Sequence, residues 1–178
     1  MTYFNYRKNE LFIENISLKS LAQKYKTPLY VYSYNQLHDN FLSFKKAFEK
    51  VDHLICYSMK ANSNRSILKT FINEGGGVDV VTGGELKRAL DAGCPANRIV
   101  FAGVGKSEEE IASALKAGIL QFNVESVEEL DTINRVAKRL NKKAPIAIRV
   151  NPHVDPKTHP YISTGLKKAN SGFHTLRF

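Results

Sequence analysis

Cysteine is scarce in this chain. Cys56 and Cys94 are the only two in 178 residues, too few for a disulfide framework, and they show no metal-ligand spacing. No apolar run approaches the ~20 residues that span a bilayer, and Met1-Thr2-Tyr3-Phe4-Asn5-Tyr6-Arg7-Lys8 lacks the charged-then-apolar layout of a secretory signal. The glycine run Gly75-Gly76-Gly77 precedes a strand, whereas the phosphate turn of a doubly wound fold follows one. These absences exclude a secreted disulfide scaffold, a zinc module and a membrane protein. They lead to the expectation of a cytoplasmic protein.

Acidic residues are also short at one end. The net charge is +9, yet basic and acidic residues are balanced at 16 each from Met1 to Asn134. From Arg135 onward there are 10 basic residues and one acid, Asp155. That tail lacks interleaved aromatics, a helix-turn-helix pattern and a zinc-finger spacing, so no nucleic-acid partner is expected. Local basicity also suits an enzyme of anionic cofactors and dicarboxylates.

Apolar segments recur in a regular rhythm. His53–Tyr57, Gly77–Val81, Arg98–Ala102, Ile119–Val124 and Pro145–Val150 read as strands whose starts are 24, 21, 21 and 26 residues apart, the rhythm of βα units. Helical runs lie between them. Ser107-Glu108-Glu109-Glu110 and Ser126-Val127-Glu128-Glu129 read as capping boxes, and Gly93 and Gly118 sit where helices end. Parallel strands with right-handed crossovers follow. A closed (β/α)8 barrel needs eight strands, so about five βα units predict a partial TIM barrel with an open edge. Ahead of it, Ser17–Tyr25 reads as a helix, Thr27–Tyr32 as a strand, and Ser33 or Tyr34 as the start of a helix through Phe48.

Chemistry concentrates around Tyr57-Ser58-Met59-Lys60-Ala61-Asn62-Ser63-Asn64. Here a lysine stands where a buried strand gives way to a helix carrying Ile67, Leu68, Phe71 and Ile72 at helical spacing. Strand carboxyl ends are where parallel α/β folds place their sites. A partly desolvated lysine there can act as an amine nucleophile and form a Schiff base with a carbonyl cofactor. A plain surface lysine is the competing reading.

The Tyr57-x-x-Lys60-Ala61-Asn62 pattern, followed by Ile67-Leu68, resembles the cofactor-lysine signature of the fold-type III pyridoxal-phosphate (PLP) decarboxylases. Gly77-Val78-Asp79-Val80-Val81-Thr82-Gly83-Gly84-Glu85 and Pro145-Ile146-Ala147-Ile148-Arg149-Val150-Asn151-Pro152 resemble two further motifs of that family, in the same order. Asp155-Pro156-Lys157-Thr158-His159-Pro160-Tyr161-Ile162-Ser163-Thr164-Gly165-Leu166 resembles the segment that marks its diaminopimelate decarboxylase branch.

The resemblance implies an alanine-racemase-like PLP barrel and α-decarboxylation of meso-diaminopimelate to L-lysine, a carboxy-lyase step of lysine biosynthesis. Pyridoxal 5'-phosphate is the implied cofactor, with Lys60 its catalytic attachment point and Asp79 and Arg149 further cofactor-region residues. For Asp79 a capping or turn role competes, and for Arg149 a structural salt bridge competes. Thr82-Gly83-Gly84-Glu85 reads first as a turn into a helix, His159 as a loop histidine, and both cysteines as small buried residues.

The implied organisation is residues 1–34 as an N-terminal segment whose strand belongs to the family's C-terminal β domain, 35–166 as the partial barrel, and 167–178 as a divergent tail. That tail departs from the Lys-Phe-Gly element with which the family continues, a departure read as a frameshift or premature stop near Ala169. The chain is thus expected to be an N-terminal fragment, not active by itself. It lacks the family's stacking histidine, phosphate loop, pyridine-nitrogen acid and catalytic cysteine. The expected partners are an amino-acid substrate and either a second copy, since the family is homodimeric, or a complementing C-terminal chain. The alternative is a non-catalytic fragment or interaction module of a PLP-barrel protein.

Overall fold

Residues with side chains of alternating character and a Lys8-Asn9 turn, both at positive φ (50° and 63°), start the chain as a small meander. A computed structural model describes residues 3–151 and 173–174, which fall into two compact units, Met1–His53 and Leu54–Phe178. In the first, β1 (Phe4–Arg7), β2 (Glu10–Ile13) and β3 (Ile16–Ser17) form an antiparallel sheet in that order. No strand was expected there from sequence. Helix α1 (Leu18–Tyr25) is capped by the Ser17 side chain, and α2 (Tyr34–Ala47) by Ser33, whose Oγ accepts the Gln36 N–H at 3.0 Å. Both helices match the expectation.

Thr27–Tyr32 does not form the expected strand. A strand must satisfy its backbone groups at a neighbouring edge, and no strand among the described residues pairs with this stretch.

The second unit is a βα repeat. Strands β4 (Cys56–Ser58), β5 (Gly77–Val80), β6 (Ile99–Phe101), β7 (Gln121–Val124) and β8 (Ile146–Ile148) lie in sequence order in one sheet, every neighbouring pair parallel. Between them run α3 (Arg65–Asn73), α4 (Gly83–Asp91), α5 (Glu108–Ala117) and α6 (Val127–Arg139). Two short strands, β9 (Val150–Asn151) and β10 (Phe173–His174), pair in parallel with each other. All five expected strands are present and are shorter than their apolar runs.

The two faces of the sheet differ, as the period of two requires. Val78, Val80, Ile99, Phe101, Phe122 and Val124 share one register face and are wholly buried, forming one cluster with helix residues Leu86, Ile111 and Ile133. Burying such side chains contributes about 1.5–3 kcal/mol each. Ile148, on the same face but at the sheet edge, is 55% exposed because nothing described packs beyond α6. The opposite face carries Ser58, Asp79, Gln121 and Asn123.

Helix starts follow their sequence signals, with one difference. Ser107 and Glu110 exchange both bonds of a capping box. Ser126 accepts the Glu129 N–H at 3.2 Å, but the Glu129 carboxylate reaches one residue further back, to the Glu125 N–H at 2.8 Å. Gly118 ends α5 in the left-handed conformation (φ 76°), as expected of a C-cap glycine. No helix among the described residues is long and apolar enough to cross a membrane.

Candidate active site

Lys60 sits in a single helical turn (Met59–Ala61) directly after β4, at the carboxyl end of the sheet. Local chemistry fixes this turn from both sides. Met59 is wholly buried and pins it to the core. The Tyr57 hydroxyl donates to the Asn62 carbonyl at 3.1 Å, while its ring stacks on Phe71 of α3 with centroids 4.4 Å apart. Asn62 and Asn64 then launch α3: Asn62 Oδ1 accepts the Asn64 N–H and Asn64 Oδ1 accepts the Ser66 N–H, each at 2.9 Å. The resulting Lys60 is exposed. This corrects the expectation of a partly desolvated lysine: the turn buries Met59, and no described residue covers its neighbour.

Asp79 lies one strand over, directly opposite Ser58 in the β4–β5 register. The Ser58 hydroxyl donates to Asp79 Oδ2 at 3.4 Å, whereas Oδ1 is buried with no hydrogen-bond partner among the described residues. Burial holds the Asp79 carboxyl above the usual carboxylate range, opposed by the Ser58 bond and by the positive charges of Lys60 and Arg149. Asp79 is therefore a strand residue on the polar face, neither a helix cap nor a turn residue. The charges of Lys60 and Arg149 both reach Asp79 at this end of the sheet.

Arg149 stands between β8 and β9. Its Nη1 donates to both oxygens of Glu125 at 3.0 Å, and the Glu125 side chain is only 3% exposed. The acid that a charged residue in an apolar strand requires is thus Glu125. Glu125 Oε1 also accepts the Gly103 N–H at 3.1 Å.

A second buried charge, Lys106, went unrecognised in the sequence. Its side chain is wholly buried, and Nζ donates to the Gly103 and Asn123 carbonyls at 2.7 and 2.9 Å and to the Glu129 carboxylate. Its acid, Glu129, reads in the sequence only as the carboxylate of a capping box, and so gives no signal of a buried pair. Thr82 and Glu85 do form the expected turn into α4: Thr82 Oγ1 accepts the Glu85 N–H at 3.1 Å and Glu85 accepts the Val81 N–H at 2.7 Å. Cys94 is buried and Cys56 half-buried. Residues Asp155–Leu166, His159 among them, lie outside the described residues.

Residues 34–177 match the family described as pyridoxal-dependent decarboxylase, pyridoxal binding domain, and the chain belongs to that family.

Within it the similarity is to diaminopimelate decarboxylases. The chain is 56% identical to the diaminopimelate decarboxylase of Aquifex aeolicus over 96% of its own length and 40% of that protein's. The crystal structure of the Helicobacter pylori diaminopimelate decarboxylase, complexed with L-lysine, superposes with a TM-score of 0.84 at 52% identity, covering 86% of this chain and 39% of that one. The corresponding L-lysine complex from M. jannaschii gives 0.85 at 41% identity, covering 96% and 41%. The five-stranded sheet and its helices are accordingly part of a PLP-binding barrel. The chain spans about two fifths of the length of the curated relatives it matches.

Proposed function

We propose that this chain supplies the cofactor-lysine portion of a PLP-dependent diaminopimelate decarboxylase, acting on the α-carboxylate of meso-diaminopimelate to give L-lysine. The observation that carries the reading is an exposed Lys60 at the end of the strand beside Asp79, whose buried Oδ1 has no hydrogen-bond partner among the described residues. A buried acceptor left unpaired costs about 1–3 kcal/mol, and a bound group with a donor or positive charge would recover it. The residues present therefore fit the cofactor. When bound, PLP supplies an electron sink for the charge left by a departing carboxylate.

The chain's own residues divide the remaining tasks. Lys60, open to solvent at the strand end, offers its amine to the cofactor carbonyl. Asp79 compensates the charge of that amine and, as the carboxyl held protonated more readily than usual, can hold a proton beside it. Arg149 offers a fixed positive charge to an anionic group. In this reading the chain works with a second copy or with a complementing C-terminal chain.

The test is titration of the purified chain with pyridoxal phosphate, followed by borohydride reduction and peptide mass spectrometry, with Lys60→Ala as control. A pyridoxyl group trapped on Lys60 supports the proposal. Its absence, or equal labelling of Lys60→Ala, favours a non-catalytic fragment or interaction module instead.

A further inference from the structure

The acid beside Arg149 is built into a continuous network of buried polar groups. The Glu125 N–H donates to Glu129 Oε2 at 2.8 Å, Glu129 Oε1 takes the buried Lys106 ammonium, and Lys106 holds the carbonyls of Gly103 and Asn123. Gly103 gives its N–H to Glu125 as well, so both of its backbone groups belong to the network. The loop after β6, the end of β7 and the first turn of α6 are thereby locked together. All three ammonium hydrogens of Lys106 have acceptors, as a buried charge requires.

Arg149 enters this network by one nitrogen only. Both bonds to Glu125 leave from Nη1, whereas a guanidinium held for structure alone commonly uses its fork, two nitrogens to two oxygens. Nη2 and Nε have no partner among the described residues, and the side chain is 41% exposed. The Arg149 charge also reaches Asp79. A rigid acid thus grips one corner of a guanidinium and leaves the other donors available beside the candidate site.

We propose that Glu125 is a positioning residue for the ligand site: it fixes Arg149 through Nη1 so that the remaining guanidinium donors meet an anionic group of the cofactor. Lys106 and Glu129 hold the backbone that carries Glu125. The inference rests on the PLP reading above and goes beyond it by assigning a role to an acid that contacts no ligand.

A double-mutant cycle tests it, with the dissociation constant for pyridoxal phosphate as the readout and trapping on Lys60 as the check of site. The variants are Glu125→Gln, Arg149→Met and both together, each checked for folding by circular dichroism. Each single change is expected to weaken binding about tenfold, the effect of one charge-assisted contact. The double variant is expected to bind within about twofold of Arg149→Met alone, because Glu125 acts through Arg149. An undiminished effect of Glu125→Gln in the Arg149→Met background, or no effect in either, overturns the proposal. Where Glu125→Gln fails to fold, Glu125→Asp, which keeps the charge but withdraws it by one methylene, completes the same cycle. A wild-type chain that traps no pyridoxyl group on Lys60 sinks the cofactor reading and this inference with it. That outcome differs from a wild-type chain that binds while the cycle shows no coupling.

Discussion

Lys106 and Glu129 form an ion pair from which solvent is almost wholly excluded, their side chains being 0% and 9% exposed. The pair joins the loop after β6 to the first turn of α6. Removing both charges for apolar groups can be nearly neutral, but removing one strands the other. Lys106→Met is therefore expected to lower unfolding free energy by about 3–5 kcal/mol, read from a urea denaturation curve. A loss below about 1 kcal/mol would show that water reaches Glu129 freely.

Asp79 should make stability depend on pH. Burial raises its folded-state pKa, so between the unfolded carboxylate pKa and the raised folded value the native chain holds a proton that the unfolded chain releases. Stability contributed by this group consequently falls as pH rises through that window. Asp79→Asn removes the loss. Its Tm is expected to exceed that of the wild type at pH 7, and the two should converge below the ordinary carboxylate range. A lower Tm for Asp79→Asn at pH 7 would show that the ionised carboxylate stabilises the fold.

Gly77 opens β5 where no side chain fits. A Cβ there would stand 2.3 Å from the Arg98 carbonyl oxygen and 2.9 Å from Cys56 Sγ. The carbonyl is backbone and cannot turn aside, so Gly77→Ala is expected to cost about 3 kcal/mol. Gly105→Ala, where nothing lies within 4 Å and φ is not positive, is the control. It is expected to be neutral or slightly stabilising, and equal losses in both would refute the steric account.

Burial pushes the Cys94 thiol up to about 11 and raises that of Cys56 as well. Because the thiolate is the reactive form, both should react with iodoacetamide at pH 8 more slowly than free cysteine, and Cys94 should accelerate sharply on unfolding in urea. Rapid native-state labelling of Cys94 would contradict its burial.

Much of the second unit was legible in the sequence because its signals are local. Ser107 with Glu110, Gly118, and the spacing of apolar runs each state a helix start, a helix end or a buried strand within a few residues. Lys60, Asp79 and Arg149 are singled out chiefly by the resemblance of their motifs to those of the PLP decarboxylases, with the placing of Lys60 and Arg149 against apolar strands as local support. The Lys8-Asn9 turn was equally local and was overlooked, since the strands beside it are short and carry exposed aromatics such as Tyr6. Thr27–Tyr32 shows the opposite failure. Its composition favours a strand, but strand formation needs an edge that composition does not provide.

The sequence by itself determined the βα order, the helix boundaries and the residue types able to do chemistry, because propensity, capping and period act over one or two turns. Only the tertiary structure decided which charges meet. Glu125 and Arg149 lie 24 residues apart, and Lys106 and Glu129 lie 23 apart, so parallel pairing of successive strands had to bring each pair together. Exposure was decided there too. Lys60 is open while Met59 beside it is buried, because burial depends on what the rest of the chain lays over a turn, and no local pattern encodes that.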